Sequence, residues 1–130
     1  MTILNKVIVF DTETTGLPKK WNAPVSDSNN WPRCVQLAWQ LHDETGKCIE
    51  YKNYLIKPDG FEIPFAAERV HGISTELAQK EGADIREVLN EFKNILSNTK
   101  YLCGHNIVFD INIFSSEYFR YFKIDPLKNF

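Results

Sequence analysis

Cysteine is scarce in this sequence: Cys34, Cys48 and Cys103 are widely spaced and form no CxxC pair. That argues against a disulfide scaffold or a thiolate zinc site and predicts reduced, partly buried thiols. Basic charge is not in excess either. Fifteen Lys and Arg stand against 17 Asp and Glu, for a net charge of −2. A broad basic field of the kind that coats a polyanion is absent, which leaves room for an enzyme that handles a few phosphates with the help of metal ions. No apolar run approaches the roughly 20 residues needed to cross a bilayer, and MTILNKVIVF lacks the basic start and cleavage site of a signal peptide. The expectation is a cytoplasmic protein with no membrane partner.

What is present reads as one α/β unit. A length of 130 residues suits about one domain, burying roughly 65% of its unfolded surface. Val7–Phe10 is a β-branched and aromatic run, predicted to be a central strand buried on both faces. LPKKWNAPVSDSNNWPR carries three prolines and reads as a long loop. CVQLAWQLHD and KCIEYKNYLIKP alternate apolar and polar residues on either side of Glu44-Thr45-Gly46, as a β-hairpin does. IPFAAERVHGIS reads as a short helix stopped by Gly72, with Ser74 capping another helical turn. Between Asp84 and Ser97, an Asp84/Glu87 capping box opens a helix with one apolar stripe. KYLCGHN is then a short strand, and Asn106 is placed to cap a helix through IVFDINIFSSEYFRYF. The order predicts a mixed sheet flanked by helices.

The chemistry concentrates where the first strand ends, in VIVFDTETTGLP. Side chains in a strand repeat every second residue, so Asp11 and Glu13 share a face with Cα atoms about 6.6 Å apart. Two converging carboxylates repel one another, and desolvation raises the cost of ionising both. Hard divalent cations such as Mg²⁺ or Mn²⁺ relieve both problems. The plainer alternative is that Asp11 caps a turn and Glu13 faces water. Asp110, in GHNIVFD, is a lone acid among apolar neighbours on the first turn of a helix that follows a second strand. Its plainer role is to complement the helix dipole.

FDTETTGL and GHNIVFD together resemble the first two signatures of the DEDD superfamily of 3′–5′ exonucleases. PFAAERVHGIS, lying between them, is similar to a stretch of the bacterial DnaQ-like branch, which includes the proofreading ε subunit of DNA polymerase III. The resemblance implies a ribonuclease H-like mixed β-sheet. It implies removal of the 3′-terminal nucleotide of DNA as a nucleoside 5′-monophosphate, in proofreading or repair. Asp11 would bridge two divalent metal ions, with Glu13 and Asp110 as further catalytic ligands. Thr12, Thr14, Gly16 and Leu17 match the turn that grips the terminal nucleotide. Ala67 and His71 match the facing helix, and His105 and Phe109 the nucleotide pocket. The implied partners are a single-stranded DNA 3′ end, with RNA as the alternative, and a DNA polymerase subunit.

Each of these residues also has a structural alternative: Leu17 and Phe109 as core, His71 as a helix end, His105 as a strand-end histidine bonded to backbone. Trp21, Trp31, Lys19, Lys20 and Arg33 around the long loop suit either a single strand or an ordinary surface loop pinned by its tryptophans. The family also calls for a fourth carboxylate, with a histidine five residues before it or a tyrosine four before it as general base. Tyr121 and Asp125 have the tyrosine spacing but follow Asp110 too closely, across a helix end, and are rejected. The expectation is therefore a single domain over residues 1–130, incomplete at its C-terminus and weak or inactive alone. Half of the Phe and Tyr residues fall from Phe109 to Phe130, which predicts apolar surface awaiting a partner segment. An exonuclease-like module that binds without cutting is the second functional class. An aspartyl-nucleophile phosphatase fits poorly, since its chemistry wants Asp at both acidic positions and Glu13 occupies the second.

Overall fold

In a computed structural model that describes residues 5–128, four strands form one sheet in the order β3-β2-β1-β4. The strands are β1 (Val7–Thr14), β2 (Cys34–His42), β3 (Cys48–Leu55) and β4 (Tyr101–Cys103). β1, β2 and β3 pair antiparallel, and β4 lies parallel to β1 on its other side. The helices are α1 (Phe65–His71), α2 (Thr75–Glu81), α3 (Ile85–Leu96) and α4 (Ile107–Phe122). The mixed α/β architecture is the one expected, and residues 15–33 form the long loop.

The predicted hairpin turns where expected. Asp43 Oδ1 accepts from the backbone N–H groups of Thr45 and Lys47, and Gly46 supplies the positive φ of 89°. α3 buries Ile85, Val88, Leu89, Phe92 and Leu96 along one stripe. Asp84 accepts from the N–H of Arg86, but Glu87 returns no bond among the described residues, so only half of the capping box forms. Asn106 is a correction: it precedes α4 in the left-handed region (φ 55°, ψ 51°), with its side chain making no cap bond. Asparagine tolerates that conformation better than most residues.

α3 and α4 cover one face of the sheet. Phe92 stands at the centre, with ring centroids 5.0 Å from Phe10, 5.2 Å from Trp39 and 4.8 Å from Phe114. Each fully buried aromatic or aliphatic side chain of this kind contributes about 1.5–3 kcal/mol. The opposite face stays open. Val9 is 39% exposed, and Tyr51 and Tyr101 are exposed too, so β1 is buried on one face and not on two. Of the apolar surface expected around α4, Phe114, Tyr118 and Phe122 stack in sequence along the helix and pack against the core, while Val108 and Ile124 stay exposed.

A bulge shapes the end of β1. Glu13 pairs with Gln36 and Thr14 with Cys34, which leaves Val35 as the extra residue. Val35 is buried with Ile63, Ala67, Ile73 and Ala78, in a second cluster that draws α1 and α2 to the end of the sheet. Bulges re-aim side chains in this way, and here the result is a helix placed beside the acidic strand end. The three cysteines are free; Cys34 is buried, whereas Cys48 and Cys103 are exposed rather than partly buried. Among the described residues no helix is long and apolar enough to cross a membrane.

Candidate active site

Alternation along β1 sends Thr12 and Thr14 toward the helices and Asp11 and Glu13 to the other side. Asp11 is exposed and its carboxylate makes no hydrogen bond among the described residues. Glu13 is partly buried. Burial, and then the charge of Asp11, raise its pKa above the ordinary carboxylate range, while His71 pulls it down.

Asp110 reaches the strand from the first turn of α4 and is only 2% exposed. Its Oδ1 accepts from the Thr12 N–H at 3.1 Å and from the Thr12 hydroxyl at 2.7 Å. No bond among the described residues lands on Oδ2. Burial lifts the pKa of Asp110, the two Thr12 bonds lower it, and the charges of Asp11 and Glu13 push it up again. Three acids thus feel one another around one strand end.

Gly104 permits this approach. A Cβ there would lie 2.8 Å from the Phe10 carbonyl oxygen and 3.0 Å from Ile107 Cδ1, so the chain entering α4 passes directly over the residue before Asp11. Any side chain at that position would force α4, and Asp110 with it, away from β1.

Two hollows flank the pair. One, of about 390 Å³, is lined by residues Thr12 to Leu17 including Glu13, by Ala66, Ala67, Val70 and His71 of α1, and by Phe109. The other, of about 440 Å³, lies on the open sheet face and is lined by Val9, Asp11, Ala38, Tyr51, Gly104 and His105 among others. The structure therefore gathers Thr12, Thr14, Gly16, Leu17, Ala67, His71 and Phe109 around Glu13, and sets His105 apart from them, on the side of Asp11.

Several of these side chains are committed within the protein. The Thr14 hydroxyl donates to the Gly16 carbonyl at 2.7 Å and closes the turn. The Ile73 N–H donates to His71 Nδ1 at 3.1 Å, so Nε2 carries the ring proton and donates to the Thr14 carbonyl at 3.2 Å. His71 is thus a strut between the end of α1 and the end of β1, and α1 itself ends on Gly72 at φ 77°. Leu17 is the opposite case, an apolar side chain left 75% exposed at the rim of the cleft.

Of the loop residues, Trp31 and Arg33 are not surface groups for a strand. Trp31 is buried, and its indole N–H donates to the Pro24 carbonyl. Arg33 donates through Nε to Glu117, a buried acid of α4 that sequence reasoning passed over. The available signal was a glutamate set between Phe114 and the Tyr118–Phe119 pair. Val70 and Ala66 were also missed. Both are cleft-lining positions on α1, one turn or less from Ala67.

The donor set of Asp11, Glu13 and Asp110 is all carboxylate oxygen, the chemistry that Mg²⁺ and Mn²⁺ prefer. Among the described residues, however, no three His, Cys, Asp or Glu side chains converge as a ready-made cage. Asp110 spends one oxygen on Thr12, from the helix side of the strand.

The raised carboxylates give a stability prediction. A carboxyl whose folded pKa is raised stabilises the fold below its unfolded pKa and loses that contribution as pH rises through the folded value. Asp110→Asn keeps an acceptor for Thr12 but has no charge to desolvate. Relative to the metal-free parent, the variant is expected to gain stability as pH rises above about 4. Urea unfolding of both proteins across that range measures it; a constant difference between them would contradict the electrostatic reading of this site.

Residues 8–129 match the exonuclease family (RNase_T). The DNA polymerase III subunit epsilon of Rickettsia conorii is 30% identical over 112 residues, covering 85% of this chain and 43% of that protein. A PolC-type DNA polymerase III of Pediococcus pentosaceus is 26% identical over 124 residues, or 95% of this chain and 8% of that one. Among solved structures, Escherichia coli exonuclease I in complex with a dT13 oligonucleotide shares the ribonuclease H-like fold, with a TM-score of 0.75 and 22% identity. That match covers 94% of this chain and 25% of the other. The chain thus spans less than half the length of the relatives it matches. With the match running across almost all of its residues and polymerase III epsilon subunits among its relatives, this chain belongs to the exonuclease family, in its DnaQ-like DEDD branch.

Proposed function

We propose that the protein is a metal-dependent 3′–5′ exonuclease that removes the terminal nucleotide of single-stranded DNA as a 5′-monophosphate. The observation that carries this reading is Glu13, which shares its strand face with Asp11 and lines a nucleotide-sized cleft walled by Leu17, Ala67 and Phe109. Asp11, Glu13 and Asp110 would hold two divalent cations. When bound, such ions supply an activated water and neutralise charge on the phosphate. The remaining work falls to the chain. Leu17 and Phe109 hold the terminal base, and the turn from Thr14 to Gly16 sets the cleft edge. The His71 strut keeps α1 against the strand end. Asp110, bonded to Thr12, ties α4 to β1 beneath the acids.

With only these three acids and no general base assigned, the chain on its own should turn over slowly. A module that holds a 3′ end without cutting it is the second reading, favoured by the lack of a closed three-ligand cluster among the described residues. The named polymerase III relatives support a polymerase subunit as partner.

The test is digestion of 5′-labelled single-stranded DNA and RNA by the intact protein with Mg²⁺ or Mn²⁺. The expected result is progressive shortening from the 3′ end, with DNA cut faster than RNA. RNA cut faster would move the substrate to RNA ends. No cleavage of either, in the presence of retained binding, would leave the non-catalytic module.

A further inference from the structure

We infer that Trp21 forms a second base-stacking position beside the cleft, taken by the nucleotide next to the 3′-terminal one in a single strand. The inference rests on the exonuclease reading of the cleft and extends it outward. Trp21 packs on Phe109, with ring centroids 5.6 Å apart at 51°. Phe109 lines the cleft and Trp21 does not, so the indole continues the aromatic wall on the outer side. Trp21 is 51% exposed.

The loop that presents Trp21 is held firmly. The Asn30 side chain accepts from the Lys20 N–H at 2.7 Å and donates to the Lys20 carbonyl at 2.9 Å. Arg120 of α4 donates to the carbonyls of Ser28 and Trp31, so the loop is fastened to the helix that also carries Phe109. A segment this well tied down leaves a large, half-exposed tryptophan packed on Phe109, a wall of the apolar cleft. Scattered exposed residues need no explanation, but an exposed aromatic in contact with a wall of an apolar cleft extends that surface. Lys19 and Lys20 precede Trp21, are exposed, and form no ion pair among the described residues. Their charge suits the phosphates of a strand whose bases stack on the indole. Aromatic platforms with adjacent cations accept any base, since every base presents a π-face.

Binding to the intact protein, followed with a nuclease-resistant phosphorothioate thymidine trinucleotide and with thymidine 5′-monophosphate, tests this. Trp21→Ala should weaken the trinucleotide by roughly 5- to 150-fold, the loss of one stacked base, and leave the mononucleotide within about twofold. Trp21→Phe should restore most of the difference, which separates stacking from a folding defect. Equal weakening of both ligands would place Trp21 inside the terminal pocket and overturn the inference. So would an unchanged trinucleotide affinity, with the exonuclease reading left standing. Failure of the parent protein to bind either ligand would remove the cleft reading and this one together.

Discussion

Asp11→Asn is expected to lower 3′-terminal cleavage by on the order of 10³-fold while leaving the fold intact. The estimate follows from the several kcal/mol that metal-centred charge stabilisation supplies, at about 1.4 kcal/mol per tenfold in rate. What makes the substitution clean is the position of the residue. Asp11 is exposed, pairs through its backbone with Ala38 in the middle of the sheet, and commits its carboxylate to no hydrogen bond among the described residues. Asparagine keeps its size and leaves the β1–β2 ladder alone, so stability should move by less than about 0.5 kcal/mol. A large loss of rate with an unchanged unfolding midpoint would therefore be chemical in origin. Steady-state digestion alongside urea unfolding separates the two. A rate within tenfold of the parent would remove Asp11 from the catalytic set.

The largest effect on stability is expected at Glu117, a residue with no proposed part in the chemistry. It is fully buried in α4 between two arginines. Arg33 donates through Nε to both carboxylate oxygens at 3.0 and 3.3 Å, and the Cys34 N–H donates to Oε2 at 2.8 Å. Arg120 completes the pair from one turn along the helix. Arg33 also donates to the Tyr121 hydroxyl, which donates in turn to Asp59, and its guanidinium lies 4.5 Å from the Phe61 ring centroid. Glu117→Ala removes the carboxylate that two guanidinium groups and a backbone N–H share. Removing one partner of a buried ion pair costs about 3–5 kcal/mol, against a total stability of about 5–15 kcal/mol. Glu117→Gln retains one acceptor oxygen and should fall between the two. Urea unfolding of the three proteins gives the order; a loss below about 1 kcal/mol for alanine would mean that the network contributes little.

That network also explains where sequence reasoning ended. Strands, hairpin and helices were legible because their signals are local: alternation in β2, an apolar stripe in α3, Gly72 after α1. Asp11, Glu13 and Asp110 were legible because acids in apolar settings stand out. Arg33 was misread as loop surface because its partner is distant, whereas a loop pinned by Trp31 was one of the two readings. Glu117 lies 84 residues from Arg33, and nothing local to either announces the pairing. The same holds for Asp110, whose place on the helix was predicted but whose bond to the Thr12 amide spans 98 residues. The burial of Val7–Phe10 on both faces failed for another reason. An apolar run says that a strand is central, not that a second layer covers it, and here Val9 faces an open hollow beside Asp11.

The acids at the end of β1 are proposed to hold divalent cations beside a nucleotide cleft. Isothermal titration of Mn²⁺ into the parent protein and into Asp11→Asn tests this without recourse to turnover. The expected result is saturable binding to the parent that is abolished or weakened at least tenfold in the variant. No binding to the parent, or equal binding to both, would contradict it.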